Sequence, residues 1–343
     1  MRAVRVEGGS IEVRDLPVPE PGEGQALVRM TTAGVCHSDL HLARGDWFGV
    51  QSEALGHEGI GVVEALGPGA DRFVAVGDRV ILGLGGAGGG YWCGACEYCL
   101  GGRPRLCDQG QLLMGTFAEL FPVWAPSLVT VPDAVGDEEA PLACGGLTAY
   151  GAVKKLARHG IVSGRPIAVI GAAGGLGHYA VQLATGFGYR VVGVDLGAER
   201  LEFARGMGAE IVVDASDPAA AVAQVEQQVG GVDASLVFSA ALAGFDLGMK
   251  LLRKGGLFVG VGLPATSQGN FELNPFELFM KDPTIIYSAV GTVQDMREVI
   301  DLAAAGRVKT HISRTGSLDD VPAIFDELEA GKYLGRAVLE VGG

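Results

Sequence analysis

Two textures of hydrophobic patterning divide the chain. Over the first 145 residues the apolar positions fall in short runs, at 3–6, 26–30 and 59–64, with Pro17, Pro19, Pro21, Gly67, Pro68 and Gly69 as punctuation. Short β-rich runs bounded by turn residues predict strands and turns. From about Ile167 the period changes. Residues 166–170 read as a buried strand and 178–187 carry helical spacing; 190–194 form the next strand and 199–207 the next helix. The runs at 211–213, 234–238 and 257–261 continue the series. Strands alternating with helices predict a parallel, doubly wound sheet. After about Tyr287 the pattern predicts amphipathic helices at 293–304 and 321–330 and a last strand at 337–341.

Length and composition narrow the class. At roughly 150 residues per domain, 343 residues correspond to a little over two domains. A composition 48% hydrophobic and 19% charged is globular and excludes wholesale disorder. Glycine, 56 residues, is about twice its usual ~7% share and predicts many tight turns and close backbone contacts. The glycine-rich run 83–90 reads as a loop beside a cysteine cluster, since it cannot pack a core. Acidic residues exceed basic ones, 40 to 26, a formal charge of −14. That argues against nucleic acid or an anionic membrane as partner. No apolar run approaches the ~18 residues of a membrane span, and Arg2, Arg5 and Glu7 leave the start without a signal-peptide core. A soluble cytosolic protein is expected.

Candidate chemistry begins at Gly171-Ala172-Ala173-Gly174-Gly175-Leu176-Gly177, which follows one predicted strand and opens the next helix. Glycines there let backbone approach a pyrophosphate, whose charge meets free N–H groups at the helix N-terminus. The spacing is one residue longer than the usual dinucleotide fingerprint. Asp195, at the end of the second strand, is placed to bond the adenosine ribose hydroxyls and to repel a 2′-phosphate, which favours NAD over NADP. A turn or capping role for Asp195 is the alternative.

The six cysteines divide into two groups. Cys93, Cys96, Cys99 and Cys107 lie within fifteen residues, a spacing typical of metal binding in a reducing compartment. Four thiolates suit tetrahedral zinc and leave no position for substrate, so this site reads as structural; an iron–sulfur cluster is the alternative. Cys36 and Cys144 remain, with Cys36-His37-Ser38-Asp39-Leu40-His41 and Gly56-His57-Glu58-Gly59 nearby in sequence. Two thiolates and one imidazole make a three-ligand zinc site with one open position, the catalytic arrangement.

These motifs together resemble the zinc-dependent medium-chain alcohol dehydrogenases over essentially the whole chain. Carrying the resemblance are Gly34-Val35-Cys36-His37-Ser38-Asp39, Gly56-His57-Glu58-Gly59, Gly77-Asp78-Arg79-Val80, the four-cysteine loop, Cys144-Gly145-Gly146-Leu147-Thr148-Ala149-Tyr150 and the glycine loop. Gly171-Ala172-Ala173-Gly174-Gly175 and Gly45-Asp46-Trp47 look most like the yeast and bacterial branch. The resemblance implies a GroES-like, β-rich catalytic domain, residues 1–145 and 288–343, around an inserted Rossmann domain at 146–287. It implies two zinc ions per chain and NAD(H), with the active site in the cleft between the domains. Cys36, His57 and Cys144 would hold the catalytic zinc, a ligand set for which alcohol dehydrogenase is the standard example, with Glu58 as an alternative ligand. Asp39 would orient His57. Ser38 would take the alcohol proton and pass it through the nicotinamide ribose to His41. His37 and Arg336 would face the pyrophosphate, Thr148 would lie against the nicotinamide, and backbone from Val261 to Leu263 would hold the carboxamide. Trp47 is the candidate pocket wall.

The implied activity is reversible oxidation of an alcohol to an aldehyde or ketone with hydride transfer to NAD, in a homo-oligomer, a tetramer favoured over a dimer. The rival readings are another zinc dehydrogenase of the same fold, acting on polyols, amino-alcohols or thiol–aldehyde adducts, and a non-catalytic zinc- and NAD(H)-binding protein. From Trp47 to His57 the chain is shorter than the yeast-like pattern and lacks its prolines, which leaves the substrate open.

Overall fold

The structure is a computed structural model that describes residues 1–83 and 89–342. Most of the glycine run at 83–90 therefore lies outside the described residues. The chain divides into two compact units, Met1–Leu147 with Val290–Gly343, and Thr148–Ala289.

The first unit is built on a seven-stranded sheet. Its central strand, Gln25–Val35, runs five residues beyond the predicted 26–30, because Thr31, Thr32, Ala33 and Val35 continue β-compatible side chains that are mostly buried. On one side it pairs antiparallel with Gly59–Leu66, and on the other with Arg336–Glu340; Leu120–Trp124 also pairs along its first half. Arg79–Leu82 and Leu128–Thr130 extend the sheet beyond Gly59–Leu66, and Ile312–Gly316 adds the opposite edge, parallel to Arg336–Glu340. Val28, Met30, Val63, Val80, Leu82, Phe117, Phe325 and Leu339 fill the core; each large apolar side chain removed from water there contributes about 1.5–3 kcal/mol. The register has a functional result. Ala33 faces Gly59 and Val35 faces Ala337, so the ends of three strands, carrying Cys36, His57-Glu58 and Arg336, meet at one edge of the sheet.

The second unit carries six parallel strands in the spatial order Ile211–Asp214, Arg190–Asp195, Pro166–Ile170, Val232–Val237, Leu252–Gly260, Thr284–Tyr287. This is the 3-2-1-4-5-6 order of the doubly wound dinucleotide fold. The strand order reverses between the parallel neighbours Pro166–Ile170 and Val232–Val237, and a crevice for ligand opens at the carboxyl ends of such neighbours. Pro166–Ile170 is buried at every position, as expected of a strand covered on both faces. Gly171 opens the following loop with φ +80°, and the Gly177–Gly186 helix starts tight against it: a Cβ on Gly177 would stand 2.0 Å from the Gly171 carbonyl oxygen. Only glycine fits there.

Candidate active site and metal centres

Cys36 ends the central strand of the first unit and N-caps the helix His37–Arg44. Asp39, in the first turn of that helix, is fully buried and accepts three hydrogen bonds: from the Cys36 N–H at 3.1 Å, the Gly56 N–H at 2.9 Å and His57 Nδ1 at 2.8 Å. A carboxylate is an acceptor, so Nδ1 carries the proton and Nε2 becomes the free donor atom. That Nε2 is buried with no hydrogen-bond partner. Cys144 arrives from another direction, at the end of the tight helical run Asp137–Ala143. Buried Glu139 anchors this run, accepting from the Thr310 N–H at 3.0 Å and from the Thr310 hydroxyl. The ligand atoms of Cys36, His57, Glu58 and Cys144 all lie within 4.8 Å of one another, and all four residues are buried.

The electrostatics ask for a cation. A hydrogen bond from Cys144, then His57 and Arg336, hold the Cys36 thiol well below its usual range, whereas donation to Cys36 and burial hold Cys144 well above. Burial opposes charge on His57, yet the Asp39 carboxylate and Cys36 keep its ring well above the ordinary histidine value. Burial lifts Glu58 to about 7, against the pull of Arg336. Two thiols, two carboxyls and one imidazole thus lie buried together with Arg336, which is ion-paired to Glu58 Oε2. This donor set fits zinc: sulfur and imidazole are its preferred ligands, and a divalent cation would neutralise the excess of acidic groups.

The second cluster, Cys93, Cys96, Cys99 and Cys107, also brings its four sulfurs within 4.8 Å. Cys93 Sγ lies 3.6 Å from Cys107 Sγ and 4.0 Å from Cys99 Sγ. Sulfurs ~2.3 Å from a tetrahedral zinc would stand about 3.8 Å apart. The backbone N–H groups of Ala95 and Cys96 donate to Cys93 Sγ at 3.4 and 3.3 Å and bring its thiol down to about 6, while burial pushes Cys99 up to about 12. The loop thus favours thiolate at one end and needs a metal to share charge across all four sulfurs.

In the second unit, Asp195 ends its strand as expected and does a further task. Its Oδ2 accepts from the Ala173 N–H at 2.8 Å and its Oδ1 from the Leu196 N–H at 2.9 Å, so it braces the glycine loop while presenting a carboxylate at the strand end. Arg200 lies 3.9 Å from Asp195 and was invisible to motif reasoning, since a lone arginine in a helix carries no signal. Leu176 caps the Gly177–Gly186 helix without any side-chain capping bond, which suits an N-terminus that receives a ligand's phosphates. Gly174 and Gly175 lie in the same turn; the Gly174 N–H donates to the Gly171 carbonyl at 3.0 Å. The Thr148 hydroxyl is buried without a partner. Val261 is buried and Leu263 is 55% exposed, on the segment leaving strand Leu252–Gly260.

The remaining residues singled out by sequence fall on the helix His37–Arg44 and just after it. His37 is exposed and Ser38 half-buried, in the first turn; His41 lies one turn on, with its ring 4.9 Å from that of Trp47. Arg336 is buried and bonded to Glu58, a pairing across 278 residues that no local motif could reveal. Tyr333 is a further residue missed by sequence. Its hydroxyl is buried without a partner, and burial first, with the charges of Cys36 and others, keeps it strongly against ionising.

Comparison with known proteins adds the lineage. The family described as zinc-binding dehydrogenase matches residues 175–305, and the alcohol dehydrogenase GroES-like domain matches residues 22–133. An alcohol dehydrogenase of Geobacillus stearothermophilus is 40% identical over 342 residues, covering 96% of this chain and 96% of that protein. This chain belongs to the zinc-binding alcohol dehydrogenase family. The fold of the family is equally close in solved structures. The alcohol dehydrogenase of the hyperthermophilic archaeon Aeropyrum pernix superposes with a TM-score of 0.88 at 32% identity, over 99% of this chain and 100% of that one. A structure described as an NAD-dependent alcohol dehydrogenase gives 0.87 at 28% identity, over the full length of both. The two-domain expectation, a GroES-like part and a doubly wound part, agrees with these matches.

Proposed function

We propose that this chain reversibly oxidises a primary or secondary alcohol to an aldehyde or ketone with NAD as hydride acceptor, using one catalytic and one structural zinc. The observation that carries the reading is the buried group of Cys36, His57, Glu58 and Cys144, four donor atoms within 4.8 Å. When bound, zinc supplies Lewis acidity that lowers an alcohol's pKa toward neutrality, and NAD supplies the hydride-accepting ring.

The chain's own residues do the rest. Asp39 fixes the His57 ring so that Nε2 is the ligand atom. Glu58 is held back by Arg336 and by the Gly145 N–H at 3.3 Å, in reserve beside the other three ligands. Ser38 accepts the alcohol proton and His41 delivers it to water, a transfer that suits an imidazole, which both accepts and donates a proton. The glycine loop at Gly171–Gly177 and the first turn of the following helix hold the pyrophosphate, with His37 and Arg336 facing it. Thr148 borders the nicotinamide, and the backbone at Val261–Leu263 holds its carboxamide. Asp195 selects NAD by repelling a 2′-phosphate. Cys93, Cys96, Cys99 and Cys107 bind the structural zinc, and Trp47 forms part of the substrate wall.

Two wider readings belong to the same proposal. The chain acts in the cytoplasm, supported by six unpaired cysteines and by the absence, among the described residues, of any helix long and apolar enough to cross a membrane. It works as a homo-oligomer, tetramer favoured, supported by Phe276, Phe279 and Met280, which are exposed on helix Pro275–Lys281 next to the edge strand Thr284–Tyr287.

The test combines zinc counting by elemental analysis with NADH formation from primary, secondary and benzylic alcohols on the same sample. Two zinc ions per chain and chelator-sensitive NADH formation are expected. One zinc ion without turnover would leave a binding protein and overturn the reading.

A further inference from the structure

His41 sits in the last turn of helix His37–Arg44, and Gly45 ends that helix in the left-handed region, φ +73°, with its N–H on the His41 carbonyl. The turn sends the next residue back along the helix. The Asp46 N–H also reaches the His41 carbonyl, at 3.0 Å, and Asp46 Oδ2 lies 2.8 Å from His41 Nδ1. The other ring nitrogen, Nε2, is shut off from solvent and has no hydrogen-bond partner, as is the Nε1 of Trp47 packed against the same ring. A buried imidazole nitrogen without a partner forfeits the hydrogen bond it had in water unless a ligand supplies one.

We propose that Asp46 is a positioning residue for proton release: it holds His41 with the proton on Nδ1, so that Nε2 is the basic atom, and it stabilises the imidazolium formed when Nε2 takes up a proton. The proposal rests on the relay role given to His41 above. The chemistry balances simply. A hydroxyl O–H breaks and an Nε2–H forms; the ring becomes a cation facing the Asp46 anion, and loss of the Nδ1 proton to water by way of the Asp46 carboxylate restores a neutral ring. The Asp46 side chain is 32% exposed against 15% for His41, so the carboxylate is the more solvent-accessible partner of the pair. The face of Trp47 adds cation–π attraction for the charged ring.

The surrounding charges leave Asp46 in command. On its own helix His41 has His37 one turn earlier, ring centres 6.3 Å apart, and Arg44 one turn later. From the packed helix Val321–Glu329 come Asp326 and Glu329, and Glu329 is bonded to Arg44, so that pair cancels. Arg336 acts from the neighbouring strand end, as it does on His37. Among these only Asp46 is hydrogen-bonded to the ring.

The deciding experiment is nitrogen NMR of protein labelled with [15N]histidine, without cofactor, the His41 signals being assigned by their loss in His41→Gln. The expected result is a proton on Nδ1 in the wild type. Asp46→Asn, nearly isosteric, and Asp46→Ala should both release the tautomer preference. A proton on Nε2 in the wild type, or a tautomer unmoved by both substitutions, would overturn the proposal. Kinetics with 1-propanol then separates it from the relay. The acid limb of kcat should move to lower pH in Asp46→Asn, and the same change should have no effect in a His41→Gln background. A profile altered by His41→Gln but not by Asp46→Asn sinks Asp46 alone; a profile indifferent to His41→Gln sinks the relay itself.

Discussion

Single side chains in this protein often perform two tasks at once, and substitutions read out both. Asp39 caps a helix and fixes a zinc-directed histidine with the same two oxygens. Cys36→Ser should remove one zinc ion per chain and lower kcat/KM by about 10³-fold or more, since several kcal/mol of charge stabilisation are lost. NADH binding, followed by its fluorescence, should persist; retained zinc and full turnover would refute the assignment. Asp195→Gly should lower the NAD-to-NADP ratio of kcat/KM by about tenfold, equivalent to ~1.4 kcal/mol. It should also weaken binding of both cofactors, because the Ala173 N–H loses its acceptor. Steady-state kinetics with each cofactor tests both effects.

At the scale of elements, two tight segments hold the metal sites and differ in what anchors them. The four-cysteine loop has only the three-residue strand Gly89–Tyr91, the single helical turns Glu97–Leu100 and Pro104–Leu106, and two residues of strand at Gln111–Leu112. Such short pieces carry little stability of their own. Cys99→Ala should therefore lower the Tm on the order of 10 °C by calorimetry with modest change in kcat, as a lost structural metal costs several kcal/mol. The run Asp137–Ala143 is held instead by Glu139. Glu139→Ala strands the buried Thr310 N–H and should cost about 1–3 kcal/mol in urea unfolding. Burial raises the Glu139 carboxyl above its ordinary 4.5, with the Thr310 bonds opposing. The native state thus binds this proton more tightly than the unfolded chain. Its contribution is fully present below the unfolded value and fades as pH rises through the higher folded one. The stability of wild type relative to Glu139→Gln should accordingly fall as pH increases from 4.5 upward, and a rise would contradict the assignment.

The elements also show where sequence reading succeeds. The Val293–Ala304 helix is legible to the residue because Thr292 and Asp295 form a reciprocal cap ahead of a clean amphipathic period. The gathering of Cys36, His57, Glu58 and Cys144 has no local spacing behind it and follows from the cysteines left over and the family resemblance, whereas the four-cysteine loop is legible because its ligand type is scarce and its spacing is chemical. Helix Leu242–Leu251 is not, since Gly244 and Gly248 argue against a helix by propensity. Packing overrides propensity there: a Cβ on Gly248 would stand 2.8 Å from Val237 Cγ2, so the glycine lets the helix lie close on the sheet. Helix Pro218–Val229 carries a readable start, Asp217 capping Ala219 and Ala220 with Pro218 at its first position, which the hydrophobic period alone overlooks. The Glu58–Arg336 pair is beyond any local signal. It depends on two strands flanking a third, which only the assembled sheet defines.

For the molecule as a whole, the exposed aromatic face of helix Pro275–Lys281 makes the proposed oligomer testable. Phe279→Asp places a charge on a residue 81% exposed in the single chain, so it should leave the fold intact while reducing the sedimentation coefficient toward that of a smaller assembly. An unchanged coefficient would remove this face from the interface.

The order in which the ribosome delivers the chain has its own consequence. The second unit is continuous in sequence, whereas the first is split, and its strand Arg336–Glu340 is made only after the whole of the second unit. At roughly 5–20 residues per second, about 10–40 s separate synthesis of Cys144 from that of Arg336. Through that interval Cys36, His57, Glu58 and Cys144 exist on the nascent chain without the arginine that offsets their negative charge. The dinucleotide-binding half can fold during translation, but the metal-binding half must wait for its closing strand. The waiting cysteines are then at their most open to metal capture, which makes synthesis itself the natural moment for loading.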